Sequence, residues 1–248
     1  MLHGKGALSL AVNADAVAQG SDGDVRDVVL LRDEEGWEIG ISCKHNHDAL
    51  KHPRITEGLD FGKDWVGYPC SVQFLGKMRL IAERIRELSY AKMLWKDVTS
   101  KVEDFYIPIL NEHLNEIQLM CETHDDVPER LLSYFFGSRD FYKVIANDSK
   151  KTTTIEGFNM HGTLNKSCGN NKATMNVSRI KMPTKLLDAR FKDGTDTTIV
   201  LTFNDGWVVS MRLHNKDKEA KTTSLAWDVK LVGYPTGTFI NIRPWYEI

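Results

Sequence analysis

No apolar run in this chain approaches the roughly 18–20 residues that a membrane-crossing helix needs, which excludes a helical integral membrane protein. Proline is sparse, with seven residues, and the eighteen glycines are scattered, which excludes collagen-like and low-complexity chains. The four cysteines, at 43, 70, 121 and 168, lack CxxC spacing, and a chain of 248 residues does not need disulfides. They read as reduced thiols, which points to a cytoplasmic protein. Nor is a secretory leader expected at the start of this sequence. Lys5 and the stretch Ala7–Val12 imitate one faintly, but that stretch is shorter than the roughly 7–15 residues of a signal's apolar core, and Gly4 and Gly6 interrupt its start. Charge of one sign is also lacking: 32 basic against 34 acidic residues give −2, so the chain as a whole does not advertise a polyanionic partner.

What is present is globular composition, with 42% hydrophobic and 27% charged residues and length for one large domain or two small ones. The charges are segregated. Asp97–Glu129 holds nine acidic residues against Lys101 alone, whereas Lys166–Lys192 holds seven basic residues against Asp188 alone. Such a distribution can make a local basic surface on a near-neutral protein, or simply two solvated faces of unequal sign. Both readings stay open.

Residues 24–44 read as a β-hairpin. Val28-Val29-Leu30-Leu31 is an apolar, β-branched run, Asp33–Gly36 supplies the turn, and Trp37–Cys43 alternates at period two. Residues 45–69 read as irregular, broken by Pro53, Gly58, Gly62, Gly67 and Pro69. The spacing of Leu75, Met78, Ile81, Ala82, Ile85 and Leu88 predicts a helix over Ser71–Ser89. A second is predicted over Val98–Cys121, kinked or broken at Pro108, and a third from about Asp126 to Phe136, with Pro128 in its first turn. From about Lys150 the helical period disappears. Thr197–Phe203, the turn Asn204-Asp205-Gly206 and Trp207–Leu213 form a second hairpin signal, and Trp227–Val232 reads as a further strand. The pattern is α/β, with residues 1–149 as a sheet and a helical middle and residues 150–248 as a β-rich region, or the two as one continuous domain.

Pairing the first hairpin about its turn sets Arg32 against Trp37, so that partners sum to 69 and Asp27 falls opposite Ser42. Lys44 lies two residues further on the same face, while Val28, Leu30, Trp37, Ile39 and Ile41 make the other face apolar. An acid, a hydroxyl and a lysine thus converge at the open end of the hairpin. That set suits metal-dependent phosphodiester cleavage: the acid holds Mg²⁺, and the lysine orients or activates the attacking water. It is a departed form of the PD-(D/E)XK pattern, with Arg-Asp for Pro-Asp and Ser-Cys-Lys for (D/E)-X-Lys. The competing reading is a surface hairpin with an ordinary ion pair.

Serine at the second acidic position leaves one ligand to be supplied from elsewhere. Glu38 shares the face of Ser42 and Lys44, but it is six residues from Lys44, roughly 20 Å along an extended strand. Glu57, thirteen residues after Lys44, fits the spacing at which nucleases with Ser-X-Lys supply the acid from a later helix or loop; a solvated loop glutamate is the alternative. His45-Asn46-His47, with Lys51, His52 and Arg54 behind, reads as a polar, basic segment for phosphates. A zinc set of Cys43, His45, His47 and His52 lacks a second cysteine pair. The contiguous letters His-Asn-His do not make an HNH nuclease, whose residues are spread across a larger unit.

These segments carry a family resemblance. Gly23-Asp24-Val25-Arg26-Asp27-Val28-Val29, then Trp37–His47, then Leu59-Asp60-Phe61-Gly62-Lys63-Asp64-Trp65 resemble the HaeIII-type restriction endonucleases. Leu201–Trp207 with Ser210, Arg212, His214 and Asn215, and Asp228–Pro235, are similar to the C-terminal part of the same family. The resemblance spans nearly the whole chain. It implies a type II enzyme of a restriction-modification system that cuts duplex DNA at GGCC with Mg²⁺, on a restriction-endonuclease-like core of mixed sheet and flanking helices. Residues 1–149 would then hold the catalytic core and 150–248 the DNA-recognition region. At one point the chain departs from the family, whose members carry a helical segment ahead of the part corresponding to residue 13 or so, and a shortened N-terminus is expected here.

With that resemblance, Asp27 and Glu57 are expected to hold Mg²⁺, Lys44 to assist the water and Ser42 to support the site. The second hairpin is expected to read bases. Trp207, Val209, Met211 and Leu213 alternate onto an apolar face, leaving Ser210, Arg212 and His214, then Asn215, for the major groove, where arginine pairs with guanine O6 and N7. A half-buried strand with its polar side in water is the plainer reading. A palindromic site suggests a two-fold dimer, although a monomer acting on the strands in turn meets the same need. Two rival functions stay open at this level: a catalytically impaired or truncated DNA-binding protein on the same fold, and a less specific repair nuclease.

Overall fold

Two sheets carry the architecture in the computed structural model, which describes residues 9–12, 24–32, 37–55, 60–164 and 177–246. The N-terminal strands are β1 (Ser9–Val12), β2 (Val28–Arg32), β3 (Trp37–His45) and β4 (Ala49–Lys51). The helices α1 (Phe61–Val66), α2 (Val72–Tyr90), α3 (Ile107–Thr123) and α4 (Val127–Phe136) follow. Then come β5 (Phe141–Asn147), β6 (Thr152–Phe158), β7 (Leu186–Phe191), β8 (Thr198–Phe203), β9 (Val208–Asn215), β10 (Leu225–Gly233) and β11 (Phe239–Pro244). The first sheet runs β1-β2-β3-β5-β6-β11 and is mixed, because β3 and β5 are parallel while its other pairs are antiparallel. The second runs β4-β10-β9-β8-β7 and is antiparallel throughout.

The chain divides into two compact units that interleave. Met1–Asp48, Phe136–Met182 and Tyr234–Ile248 make the first, around the mixed sheet; Ala49–Phe135 and Pro183–Gly233 make the second, around the antiparallel sheet and the helices. The sequence pattern places a boundary at 149/150, which falls in the turn between the neighbouring strands β5 and β6, inside the first unit.

In the first unit Ile39, Tyr142, Leu164 and Val177 are buried together, with Leu30, Ile41, Ile155 and Phe239 packed around them. This is the apolar face expected of the hairpin, continued across β5, β6 and β11. The apolar stretch near the N-terminus, which imitates a leader in sequence, contains β1, an antiparallel partner of β2.

In the second unit α3 packs on β7 and β8, and His113 of α3 meets the Trp227 ring of β10 at 4.9 Å. The stretch 45–69, expected to be irregular, contains two elements. β4 is only three residues long and owes its existence to pairing with β10, nearly 180 residues away in sequence, which local pattern does not reveal. α1 is cued locally: the Asp60 carboxylate caps it by accepting from the Lys63 amide at 3.1 Å, and Gly67, at φ 79°, ends it in the left-handed region that glycine tolerates. Ser71 caps α2 by accepting from the Phe74 amide at 3.1 Å, and its hydroxyl donates to the buried Glu116 carboxylate of α3 at 2.7 Å. The expected break at Pro108 is a π turn over Val102–Tyr106, after which α3 starts with Pro108 in its first turn, where a missing N–H costs little.

Candidate active site

The β2/β3 register pairs Val28 with Ile41 and Arg32 with Trp37, so the turn does set the partners that the sequence implies. Asp27 lies just before β2, where the ladder has ended. Its N–H donates to the Ile41 carbonyl at 2.8 Å, and its carboxylate Oδ2 accepts from the Cys43 amide at 2.6 Å and the Ser42 hydroxyl at 3.3 Å. Lys44 Nζ lies 4.0 Å from the same oxygen. Asp27, Ser42 and Lys44 are therefore brought together. Ser42 is buried, while the Asp27 side chain keeps 39% of its exposure and Lys44 20%. The acid is thus held from below by an amide and a hydroxyl, with surface left for a further ligand.

The rest of this sheet face is built from charged pairs. Arg26 crosses β3 over Gly40, where a Cβ would lie 2.0 Å from Arg26 Cδ, and reaches Asp24 at 2.7 Å and Glu38 at 2.9 Å. Glu38 is thereby engaged as a partner of arginine. On the other side of Ser42 the parallel register sets Lys143 of β5, and beyond it Glu156 of β6. Lys143 Nζ donates to the Asp48 carbonyl at 2.5 Å and lies 3.7 Å from Glu156 Oε2, while Glu156 Oε1 accepts from the Tyr234 hydroxyl at 2.6 Å. Both charged residues are almost fully buried. Burial pushes the Lys143 pKa down, against the opposing pull of the Glu156 and Asp48 carboxylates. Asp27 and Glu156 stand three strand spacings apart, roughly 14 Å, with Lys143 between them. Glu156 is the counter-ion of Lys143.

The sequence reading passes over Lys143, Glu156 and Tyr234. A signal was present: Asp148–Lys151 is a polar turn between two strand-like runs, and pairing about it sets Lys143 opposite Glu156. The parallel pairing that brings Lys143 beside Ser42 leaves no such local mark. Glu57 lies outside the described residues. His45 and Asn46 both bind Asp148: His45 Nε2 is 2.8 Å from its Oδ2, and the Asn46 side chain donates to that oxygen at 2.8 Å and accepts from the Asp148 amide at 2.8 Å. These contacts hold the Asp148 carboxyl below the usual range, the Asn46 amide first and His45 after burial's opposing effect. His47 is exposed. Among the described residues no three His, Cys, Asp or Glu side chains gather as a metal-holding group, so Cys43, His45, His47 and His52 do not make a zinc set. The Asp27 carboxylate, part of it exposed, is a hard oxygen donor. It fits Mg²⁺, which takes one or two carboxylates and fills its remaining positions with water and phosphate oxygens.

The second unit holds the other expected contacts. Lys51 Nζ turns inward, donating to the Tyr134 carbonyl at 3.1 Å and lying 3.6 Å over the Tyr134 ring; burial pushes its pKa down to about 8. Arg54 is exposed and donates to the Thr223 carbonyl at 3.1 Å. Trp207, just ahead of β9, and Val209, Met211 and Leu213 on it are buried, as their alternation requires. On the opposite face Ser210 is buried, His214 half-buried and Arg212 exposed. Arg212 Nη2 donates to Asp228 Oδ2 at 3.1 Å. Asn215 is occupied within the protein, accepting from Lys101 Nζ at 3.4 Å and the Tyr106 hydroxyl at 3.3 Å and donating to the Asp217 carbonyl at 3.0 Å.

The family model described as HaeIII restriction endonuclease matches residues 2–235. The type II restriction enzyme HaeIII of Haemophilus aegyptius is 36% identical over 245 residues, which covers 98% of this chain and 76% of that enzyme. No solved structure matches the chain. No described helix is long and apolar enough to cross a membrane. With a match over nearly its whole length and a relative at this identity, the chain belongs to the HaeIII restriction endonuclease family and is a type II restriction endonuclease.

Proposed function

We propose that this enzyme hydrolyses phosphodiester bonds of duplex DNA at GGCC with Mg²⁺, on a departed PD-(D/E)XK site made by Asp27, Ser42 and Lys44. The observation that carries the reading is the convergence of the Asp27 carboxylate, the Ser42 hydroxyl and the Lys44 ammonium at one strand end. Asp27 binds the cation, its carboxylate oriented by the Cys43 amide and the Ser42 hydroxyl. When bound, the cation neutralises charge on the scissile phosphate and lowers the pKa of a coordinated water. Lys44, kept near Asp27, orients the attacking water and stabilises the developing charge on the phosphoryl oxygens. Glu57 stays the proposed second acid, since Glu38 and Glu156 each serve a buried cation instead. GGCC rests on the family resemblance, and a two-fold dimer acting in the cytoplasm suits a palindromic target in a restriction system.

Incubation with a plasmid carrying GGCC sites and Mg²⁺ tests the reading. We expect cleavage confined to GGCC. Asp27→Asn and Lys44→Ala should each lower the rate at least about 100-fold, as for loss of a principal electrostatic group, while binding to the duplex stays within a few fold. Full cleavage by either variant would remove this strand end from the mechanism, and cleavage at unrelated sequences would discard GGCC.

A further inference from the structure

Beside the Arg212 guanidinium lies an acid that no reading of the second hairpin includes. The β9/β10 register sets Asp228 directly opposite Arg212, on the face turned away from the buried Trp207, Val209 and Met211. The Asp228 side chain is 9% exposed, that of Arg212 55%. Its two oxygens face two groups: Oδ2 accepts from Arg212 Nη2 at 3.1 Å, and Oδ1 lies 3.8 Å from His52 Nδ1. The His52 ring stands 6.4 Å from that of His214 in an edge arrangement, and His214 Nδ1 is buried without a hydrogen bond. A carboxylate is thus set under a cluster of nitrogen-bearing side chains, in a protein whose partner is a polyanion.

An acid at a DNA-facing surface repels phosphates, so its place there needs a reason. Burying it also requires a cation, which Arg212 supplies. A long arginine on an open strand samples many rotamers, and bidentate recognition of guanine needs the planar fork held in one of them. The Asp228 contact uses one N–H of Nη2 and leaves the other donors of the fork free to point outward.

We infer that Asp228 is a positioning residue for sequence specificity: anchored beneath the surface between Arg212 and His52, it fixes the Arg212 guanidinium in the orientation that reads a base. This rests on Arg212 being a base reader, and the test separates the two. Competition titrations with GGCC and scrambled duplexes in metal-free buffer, where neither is cut, compare the native enzyme with Asp228→Asn, Arg212→Ala and the double variant. Asp228→Asn should weaken GGCC binding roughly tenfold, within the range of one lost base contact. Binding to the scrambled duplex should hold or tighten, because a negative charge is gone. In the Arg212→Ala background the same change should have no further effect on the GGCC preference.

A merely structural Asp228 would weaken both duplexes by one factor, and that result overturns the inference. So does an unchanged GGCC preference, or an undiminished effect without Arg212. If Arg212→Ala itself leaves both affinities unchanged, the base-reading role of the hairpin fails, and this inference with it. If Asp228→Asn does not fold, Asp228→Ser, which leaves room for a water, takes its place with the same outcomes.

Discussion

Lys143 sets a limit on what a side chain costs inside a sheet. Its ammonium is buried between Ser42 and Glu156, satisfied by the Asp48 carbonyl and the Glu156 carboxylate, which Tyr234 holds in turn. Removing one member strands the other. Lys143→Met should therefore destabilise the protein by about 3–5 kcal/mol, the usual cost of an uncompensated buried charge. The double variant Lys143→Met/Glu156→Gln should recover much of that loss, because both charges then leave together. Urea denaturation of the two variants checks it, and a double variant no more stable than Lys143→Met would refute the pairing. The same logic explains which acids are available for a cation. Glu38 and Glu156 share the active face but each is paired with a buried base, Arg26 at 2.9 Å or Lys143 at 3.7 Å, whereas Asp27 meets the Lys44 ammonium only at 4.0 Å and is otherwise held by an amide and a hydroxyl.

At the level of elements, α3 carries a histidine that makes stability depend on pH. His113 is fully buried among the Phe61, Phe74 and Trp227 rings, and its Nδ1–H donates to the Ile109 carbonyl at 2.8 Å. Burial pushes its pKa down to about 4 from the ordinary 6.5, so the folded protein holds it neutral where the unfolded chain is protonated. Between those values the unfolded state binds more protons, and stability falls as pH falls. The contribution is whole above about pH 6.5 and lost progressively toward pH 4, to a total of about 3 kcal/mol. Unfolding free energies at pH 7 and 5 should show this slope in the native protein and a shallower one in His113→Phe; equal slopes would reject the assignment. The helices α2, α3 and α4 were legible in sequence, because 3.6-residue spacing, Ser71 before α2 and Pro128 in a first turn are local marks; the short α1 was read as part of an irregular stretch. The first hairpin was legible in register and the second in its alternation for the same reason: turn residues and a period of two fix which residues share a face. The approach of Asp27 to Ser42 followed from that, although the ladder itself stops at Val28 and Ile41 and the two meet through their side chains. What stayed hidden is non-local. β4 depends on β10, and the pairing of β3 with β5 depends on a parallel crossover through all four helices. Asp228 was readable as a strand residue, yet its place opposite Arg212 needed the β9/β10 register, set across an intervening loop with a 3₁₀ turn.

For the whole molecule, interleaving decides what can fold alone. The mixed sheet draws strands from both sides of residue 149: β2, β3 and β5 precede it, β6 and β11 follow. A fragment 1–149 would leave β5 as an open edge, with Lys143 buried or exposed without Glu156, and β4 without β10. The complementary fragment 150–248 would keep β7, β8, β9 and β10, but the face carrying Trp207, Val209, Met211, Leu213 and Trp227 would lose the helices of its own unit. At roughly 25 cal/mol per Å² of apolar surface, such an uncovered face forfeits the main stabilising term of a small domain. Neither fragment should therefore melt cooperatively, and 150–248 should bind a hydrophobic dye strongly. Exposed sheet edges should make both prone to self-association. Circular dichroism melts of each fragment, beside the full chain, measure this directly. A sharp transition in 150–248 alone would mean that its sheet is self-sufficient, and that the helices of the second unit add to the fold without being required for it.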